Sequence, residues 1–371
     1  MKARQSEAEA VLEISDLKVT FHTYAGDVKA LNGVDLSVRK GEVLGLVGES
    51  GCGKSVTSLA VAGLLPPNAE LVGGKILLGG ADLLHISKED LRKKRLTELA
   101  MVFQDPMTYL NPVLTVGSQI TEIITQEPRV FLPALVGNRI AEIDATGKND
   151  GELAEEKQKL LEISKAGRAG RRDVERLARA YVVSVLRSVR LPLPEKILQM
   201  FPFELSGGMR QRVMIAMALV RKPRVLLADE MTTALDVTVQ AQILQLLREL
   251  RNEIDASIVL ITHDLAVVAE VCDRVAVMYA GNIVEVADVE ELFVNPLHPY
   301  TRGLLGSIPR VDSASPQQTS IGGSVPNLIF PPPGCRFNPR CPKAFERCPL
   351  TKPNLIETKP GHFVACFLYG E

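Results

Sequence analysis

The 371-residue chain has no tryptophan, and only 5% of it is aromatic. A protein that stacks successive bases on aromatic rings needs more than this, so a platform for single-stranded nucleic acid is not expected. Net charge is almost absent as well, with 43 Lys and Arg set against 44 Asp and Glu. Such a balance carries no broad basic footprint, and nucleic acid is not expected among the partners. The basic run Arg92–Arg95 reads as a solvated helix face. Apolar runs are short: none approaches the ~18 residues of a membrane span, and the opening MKARQSEAEA has no signal-peptide pattern. The chain is therefore expected in the cytosol unless a partner holds it at a membrane. Six cysteines in that compartment read as thiols or a metal site before disulfides.

What is present begins with GESGCGKS, Gly48 to Ser55. Two glycines with four residues between them, then Lys and Ser, fit the phosphate-loop pattern. An apolar run, Val43–Val47, leads in as a buried strand, and an amphipathic stretch from Val56 to Leu65 leads out as a helix. Gly48, Gly51 and Gly53 let the backbone of Glu49, Ser50, Cys52 and Val56 wrap an anion at a helix N-terminus. Lys54 is placed to reach the β- and γ-phosphates, and the Ser55 hydroxyl to bind Mg²⁺. This loop is expected to bind a nucleoside triphosphate.

Around it, residues 11–40 alternate apolar and polar as two antiparallel strands joined near Tyr24–Asp27. Phe21 or Tyr24 offers a ring for an adenine, or serves only as a core and a surface aromatic. Gln104 follows the strand ending in MVFQDP, where an open α/β sheet places ligands; it can coordinate Mg²⁺, orient water, or be structural. From Val116 to about Leu193 the pattern is helical. There Val174, Leu177, Tyr181, Val185 and Val189 form one apolar stripe, and Gly167 and Gly170 mark a hairpin turn. In LSGGMRQ, Ser206, Gly207 and Gly208 precede a long apolar helix and form a second helix N-terminus suited to an anion. VLLADE, Val225–Glu230, reads as a buried strand ending in two acids. Asp229 suits a Mg²⁺ contact through water, and Glu230 suits the polarisation of a water for in-line attack. SIVLITH ends at His263, a candidate γ-phosphate sensor. Past Phe293 the chain turns Pro- and Ser-rich, marking a boundary or linker, and the tail carries Cys335, Cys341, Cys348 and Cys366.

Gaps of five, six and seventeen residues between those cysteines are wide for structural zinc, whose ligand pairs begin about two to four residues apart. The tail is short and loop-rich and needs a staple. Arg336, Arg340, Lys343 and Arg347 are expected to offset the charge of four thiolates. An iron–sulfur cluster, zinc and free thiols all stay open. Replacing Cys341 with Ser is expected to loosen the tail while leaving residues 48–55 able to bind ATP.

Taken in order, GESGCGKS, Gln104, LSGGMRQ, VLLADE, Ala234–Asp236 and His263 resemble the ATP-binding subunits of ABC transporters across about residues 11–290. FPFELSGGMRQRVMIAMAL, ADEMTTALDVTVQAQILQLL and HPYTRGLL followed by a cysteine-containing tail narrow the resemblance to the oligopeptide/dipeptide importer branch. The resemblance implies an α/β fold: a P-loop nucleotide-binding core with an antiparallel β subdomain, an inserted helical subdomain (about 116–205) and a small C-terminal extension (294–371). It implies ATP and Mg²⁺, with Lys54, Gln104, Glu230 and His263 at the chemistry. In this family two ATP-binding subunits pair head to tail. Ser206 and Gly208 of one would close on the nucleotide of the other, and Asp236 would link the sites. Two transmembrane permease subunits, a solute-binding protein outside the cell, and a place on the cytoplasmic face of the membrane follow from the same resemblance. So does a four-iron cluster on the tail. Met231 stands where the family usually has Pro, and the segment from about Pro128 to Arg172 is longer than usual. A soluble ABC-type ATPase uncoupled from transport is the competing reading.

Overall fold

The computed structural model describes residues 9–103, 105–147, 151–231, 236–254, 256–307 and 321–370. The chain opens with β1 (Ala10–Thr23), β2 (Gly26–Arg39), β3 (Val43–Val47), α1 (Lys54–Ala62), β4 (Ala69–Leu78), β5 (Ala81–Asp82) and α2 (Lys88–Thr97). It continues through β6 (Leu99–Val102), α3 (Pro106–Tyr109), α4 (Val116–Thr125), α5 (Pro128–Ala145), α6 (Gly151–Ala166), α7 (Arg171–Ser188), α8 (Pro194–Ile197) and α9 (Gly207–Leu219). Then come β7 (Val225–Asp229), α10 (Val237–Ile254), β8 (Ser257–Ile261), α11 (Leu265–Val271), β9 (Arg274–Tyr279) and β10 (Asn282–Asp288). The chain closes with α12 (Val289–Val294), α13 (Pro299–Gly306), β11 (Ile356–Lys359) and β12 (His362–Val364).

Two compact units result. One holds residues 1–95, 224–230 and 251–371, and the other holds residues 96–223 and 231–250. The boundary at 293/294 expected from composition is not a division by compactness, because the tail clusters with the phosphate loop.

In the first unit, β2-β1-β4-β5 form an antiparallel sheet. Phe21 pairs with Val28 on β2 and with Ala69 on β4. The larger sheet runs β11-β12-β10-β9-β3-β8-β7. Strands β3, β8 and β7 are parallel neighbours and buried at every residue, which is why each reads as an unbroken apolar run. Their carboxyl ends lie level: Leu46 and Asp229 both register with Ile261. That shared edge is where an open α/β sheet carries its ligand.

Of the stretch beyond Phe293 that composition marks as a boundary or linker, residues 308–320 lie outside the described residues, while its first part folds as a capped helix. His298 caps α13, its Nδ1 accepting the Tyr300 N–H at 3.0 Å, and Tyr300 is fully buried. The wholly buried Glu285 carboxylate accepts the Leu297 and His298 N–H groups and a bond from His362 Nε2, at 2.7, 2.9 and 2.8 Å. A buried acid with three donors is well satisfied, and it fastens β10 to the tail strands.

The second unit is helical. The stripe of α7 is core: Val174, Leu177, Tyr181, Val185 and Val189 are all buried. Helices α5 and α6 occupy the segment between Pro128 and Arg172, joined across their surfaces by a bidentate Arg139–Glu156 pair at 3.1 and 2.9 Å.

Candidate functional site

The loop after β3 turns on glycines that cannot be replaced. Gly48 has φ 151°, and a Cβ there would lie 2.1 Å from the Met278 carbonyl oxygen; Gly53 has φ 111°, and its Cβ would meet Leu31 at 2.8 Å. Gly53 is the N-cap of α1, so the loop delivers the helix N-terminus to its own concave side. Ser50 and Gly51 face solvent, Cys52 is buried, and Val56 sits in the first turn of α1, half-buried.

Lys54 is 4% exposed, yet its ammonium is not idle: Nζ donates to the carbonyl oxygens of Gly48 (2.8 Å) and Glu49 (3.1 Å). A buried cation inside a nest of backbone donors is a preorganised phosphate receptor. Ser55 Oγ donates to Asp229 Oδ1 at 3.1 Å, and Ser58 Oγ to Oδ2 at 3.4 Å. Burial pushes the Asp229 carboxyl above its usual range, and the neighbouring Glu230 charge adds to this, against the Ser55 and Ser58 bonds. A hydroxyl and a desolvated carboxylate are hard oxygen donors of the kind that Mg²⁺ takes, so Ser55 and Asp229 fit that ion.

Glu230 has φ 46°, a left-handed conformation rare for a residue with a side chain, and its N–H donates to the Ile261 carbonyl at 2.9 Å. His263 Nδ1 lies 3.4 Å from Glu230 Oε1, at the exposed end of β8. Strands β3, β7 and β8 thus bring Lys54, Ser55, Asp229, Glu230 and His263 to one sheet edge.

Tyr24 sits fully exposed on the β1–β2 turn, whereas Phe21 is half-buried within β1. Gln104, Ala234 and Leu235 lie outside the described residues. In the second unit, the exposed Ser206 caps α9 by accepting the Met209 N–H at 3.4 Å, with Gly207 and Gly208 in the first turn. Asp236 Oδ1 accepts the Val239 N–H at 2.9 Å and so caps α10.

All six cysteines are free thiols. Among the described residues, no group of three or more Cys, His, Asp or Glu is arranged to hold a metal ion, so the expected ligand set is not assembled as such. Cys335, Cys341, Cys348 and Cys366 do line one shared cavity, together with Phe337, Lys343 and Pro353. Burial pushes the Cys335 thiol up to about 11 and raises Cys341 and Cys366 as well. The basic side chains expected to offset the thiolates are mostly engaged elsewhere: only Lys343 lines the cavity. Arg336 donates to the carbonyls of Lys29 and Ala280, Arg347 lies over the Phe367 ring, and Arg340 pairs with Glu49.

Sequence reasoning assigned Arg340 to the cysteines and gave Tyr300 no role, yet both touch the phosphate loop. Tyr300 lay in view within HPYTRGLL, but nothing in its spacing says that its hydroxyl meets the Glu49 N–H at 2.9 Å.

A glycine nest on a helix N-terminus, a buried lysine and a carboxylate bonded to the loop serine define a P-loop nucleoside-triphosphate-binding protein. Family models carry this further: residues 31–233 match the ABC transporter model, and residues 284–348 match the oligopeptide/dipeptide transporter C-terminal region. The chain is 43% identical to the dipeptide transport ATP-binding protein DppD of Bacillus subtilis, over 98% of its own length and 96% of that protein's. It is likewise 43% identical to the oligopeptide transport ATP-binding protein OppD of Escherichia coli, over 98% and 94%. The dimeric ATP-binding cassette MJ0796, bound to ADP and Pi, shares the fold with a TM-score of 0.56 at 23% identity, over 75% of this chain and 98% of that one. The chain belongs to the ABC transporter family of ATP-binding proteins, and it is an ABC ATPase. The reading of it as an ATPase uncoupled from transport is not favoured. No helix among the described residues is long and apolar enough to cross a membrane.

Proposed function

We propose that this chain powers an importer for oligopeptides, dipeptides or related solutes from the cytoplasmic face of the cell membrane. The observation that carries the chemistry is the convergence of Lys54, Ser55, Asp229, Glu230 and His263 on one edge of three parallel strands. Lys54 exchanges its two carbonyl partners for the β- and γ-phosphates of ATP, and Ser55 and Asp229 hold Mg²⁺, which neutralises phosphate charge. Glu230 takes a proton from the attacking water, His263 steadies Glu230 and meets the γ-phosphate, and Gln104 orients that water or the ion. The exposed Tyr24 offers a face for the adenine. Glu49 points its carboxylate and its N–H at protein groups, which makes it a supporting member of the loop.

On this reading, residues 1–293 form the ATP-binding domain and 294–371 the extension. A second ATP-binding subunit, identical or paralogous, pairs head to tail so that Ser206, Gly207 and Gly208 cover the nucleotide of the partner, with Asp236 between the sites. The exposure of Ser206 and Gly207 at the start of α9 supports this. Two permease subunits dock on the helical unit, where Leu96, Leu114, Gln119, Glu122 and Met217 line an open cavity of about 310 Å³. A solute-binding protein supplies cargo from outside the cell. Ser206→Arg should leave ATP binding to the monomer unchanged, because the residue serves only a neighbour, and should abolish ATP-dependent dimerisation by light scattering. Loss of monomer binding would show a site completed within one chain.

The same proposal includes a four-iron cluster held by Cys335, Cys341, Cys348 and Cys366. What supports it is that all four cysteines line one cavity. A cluster held by these cysteines would supply a structural staple to the loop-rich part of the tail. Chain purified without oxygen should be brown and carry about four irons. One tightly held zinc with no iron would replace the cluster.

A further inference from the structure

One ion pair joins the phosphate loop to the cysteine tail and has no part in the hydrolysis scheme. Arg340 lies on the Glu49 carboxylate through two bonds, Nη1 to Oε2 at 2.7 Å and Nη2 to Oε1 at 3.1 Å. The arginine side chain is only 6% exposed, the glutamate 27%. The rest of the guanidinium is occupied too. Nε donates to the Gly322 carbonyl at 2.9 Å, Nη2 to that of Ile321 at 3.3 Å and Nη1 to the Tyr279 hydroxyl at 3.3 Å. Glu49 is held by its backbone as well, through the N–H bond to Tyr300. Tyr300 packs on Tyr279 and Phe337, with ring centroids 4.6 and 5.4 Å apart, and Phe337 lines the cysteine cavity.

Glu49 is an awkward residue for its place. It brings a carboxylate into a loop that must receive a triphosphate, and an unpaired charge there opposes binding. The planar fork of arginine cancels that charge and fixes the carboxylate's direction, which a lysine ammonium would not do. We propose that Arg340 is a positioning residue for ATP: it neutralises Glu49 and pins the phosphate loop to the C-terminal tail. The proposal rests on the reading of residues 48–55 as the ATP site. It also replaces the expectation that the tail can loosen without consequence for that loop, because Arg340 directly precedes Cys341.

The test is an equilibrium titration of the full chain with Mg²⁺ and a non-hydrolysable ATP analogue at low and high salt. Arg340→Met should raise Kd about 10-fold at low salt and less at high salt, since the freed carboxylate is screened. Arg340→Lys should give an intermediate value. Glu49→Gln should move Kd the other way, tightening it about 2- to 5-fold, because a cation then faces the triphosphate without its partner. The double variant is neutral again at this place, so the two opposite effects should largely cancel and Kd should return to within about 5-fold of the wild type. An unchanged Kd in Arg340→Met, or a double variant as weak as Arg340→Met, would overturn the proposal. So would weakening by Glu49→Gln equal to that of Arg340→Met, the mark of a purely mechanical tether. Should Arg340→Met fail to fold, the sign of the Glu49→Gln shift decides alone. No analogue binding by the wild type would overturn the ATP reading, and this proposal with it.

Discussion

Glu230 holds a left-handed backbone at φ 46°, a conformation that costs a residue with a side chain about 1–3 kcal/mol. Its N–H bond to Ile261 and the buried Met231 that follows keep it there. The benefit is direction: the carboxylate leaves the end of β7 beside His263 instead of continuing the strand. Glu230→Gln keeps the size and most of the hydrogen bonding while removing the proposed base, so ATP should still bind and turnover should fall about 10²- to 10⁴-fold. Turnover in the assembled transporter checks this, and a wild-type rate would remove Glu230 from that role. Asp229 belongs to the same scale. Its desolvated carboxylate is bonded to the serine that shares the proposed ion, so Asp229→Asn should raise the Mg²⁺ needed for half-maximal turnover by about 10-fold or more. An unchanged Mg²⁺ titration would assign the ion elsewhere.

At the scale of elements, α7 shows how far periodicity carries. Its five predicted stripe residues are buried, and Tyr181 donates from its hydroxyl to the Val220 carbonyl at 3.3 Å. Leu177 is 2% exposed, so Leu177→Ala should cost about 2–5 kcal/mol by leaving a cavity, read as a lower melting temperature of the helical unit. A melt unchanged within error would mean that the site closes over the loss. The parallel strands β3, β7 and β8 were equally legible because burial on both faces leaves an unbroken apolar run. The sequence reading assigns no strand to residues 274–288 and marks a boundary or linker just past Phe293, where β9, β10 and α13 form. Proline at 296 and 299 looks like a break, yet Pro299 sits in the first turn of a helix, where its missing N–H costs nothing.

At the scale of the whole molecule, the tail is built into the phosphate-loop unit. Its strand β12 covers the edge of β10, with Glu285 pairing with Val364 and Val286 with Phe363. Ending the chain after Val294 would expose that edge and leave the buried Glu285 without its three donors. The shortened chain should therefore aggregate or melt well below the full-length protein, as size exclusion and a thermal scan would show. A stable, ATP-binding fragment of 294 residues would make the tail an accessory.

The sequence by itself determined the chemistry that depends on neighbours along the chain. Gly48 to Ser55, the acids ending VLLADE, the Ser206 cap and the α7 stripe are local, because a turn, a cap or a helix face is set by residues within a few positions. Only the tertiary structure decided what lies across long separations. Arg340 is 291 positions from Glu49, and Tyr300 is 251 from the N–H that it accepts. Four cysteines spread over 32 residues meet at one cavity, while Arg336 and Arg340, expected to serve them, bind Lys29, Ala280 and Glu49 instead. A charged side chain chooses its partner by distance and desolvation in the folded chain, and neither quantity is written in the spacing of residues along it.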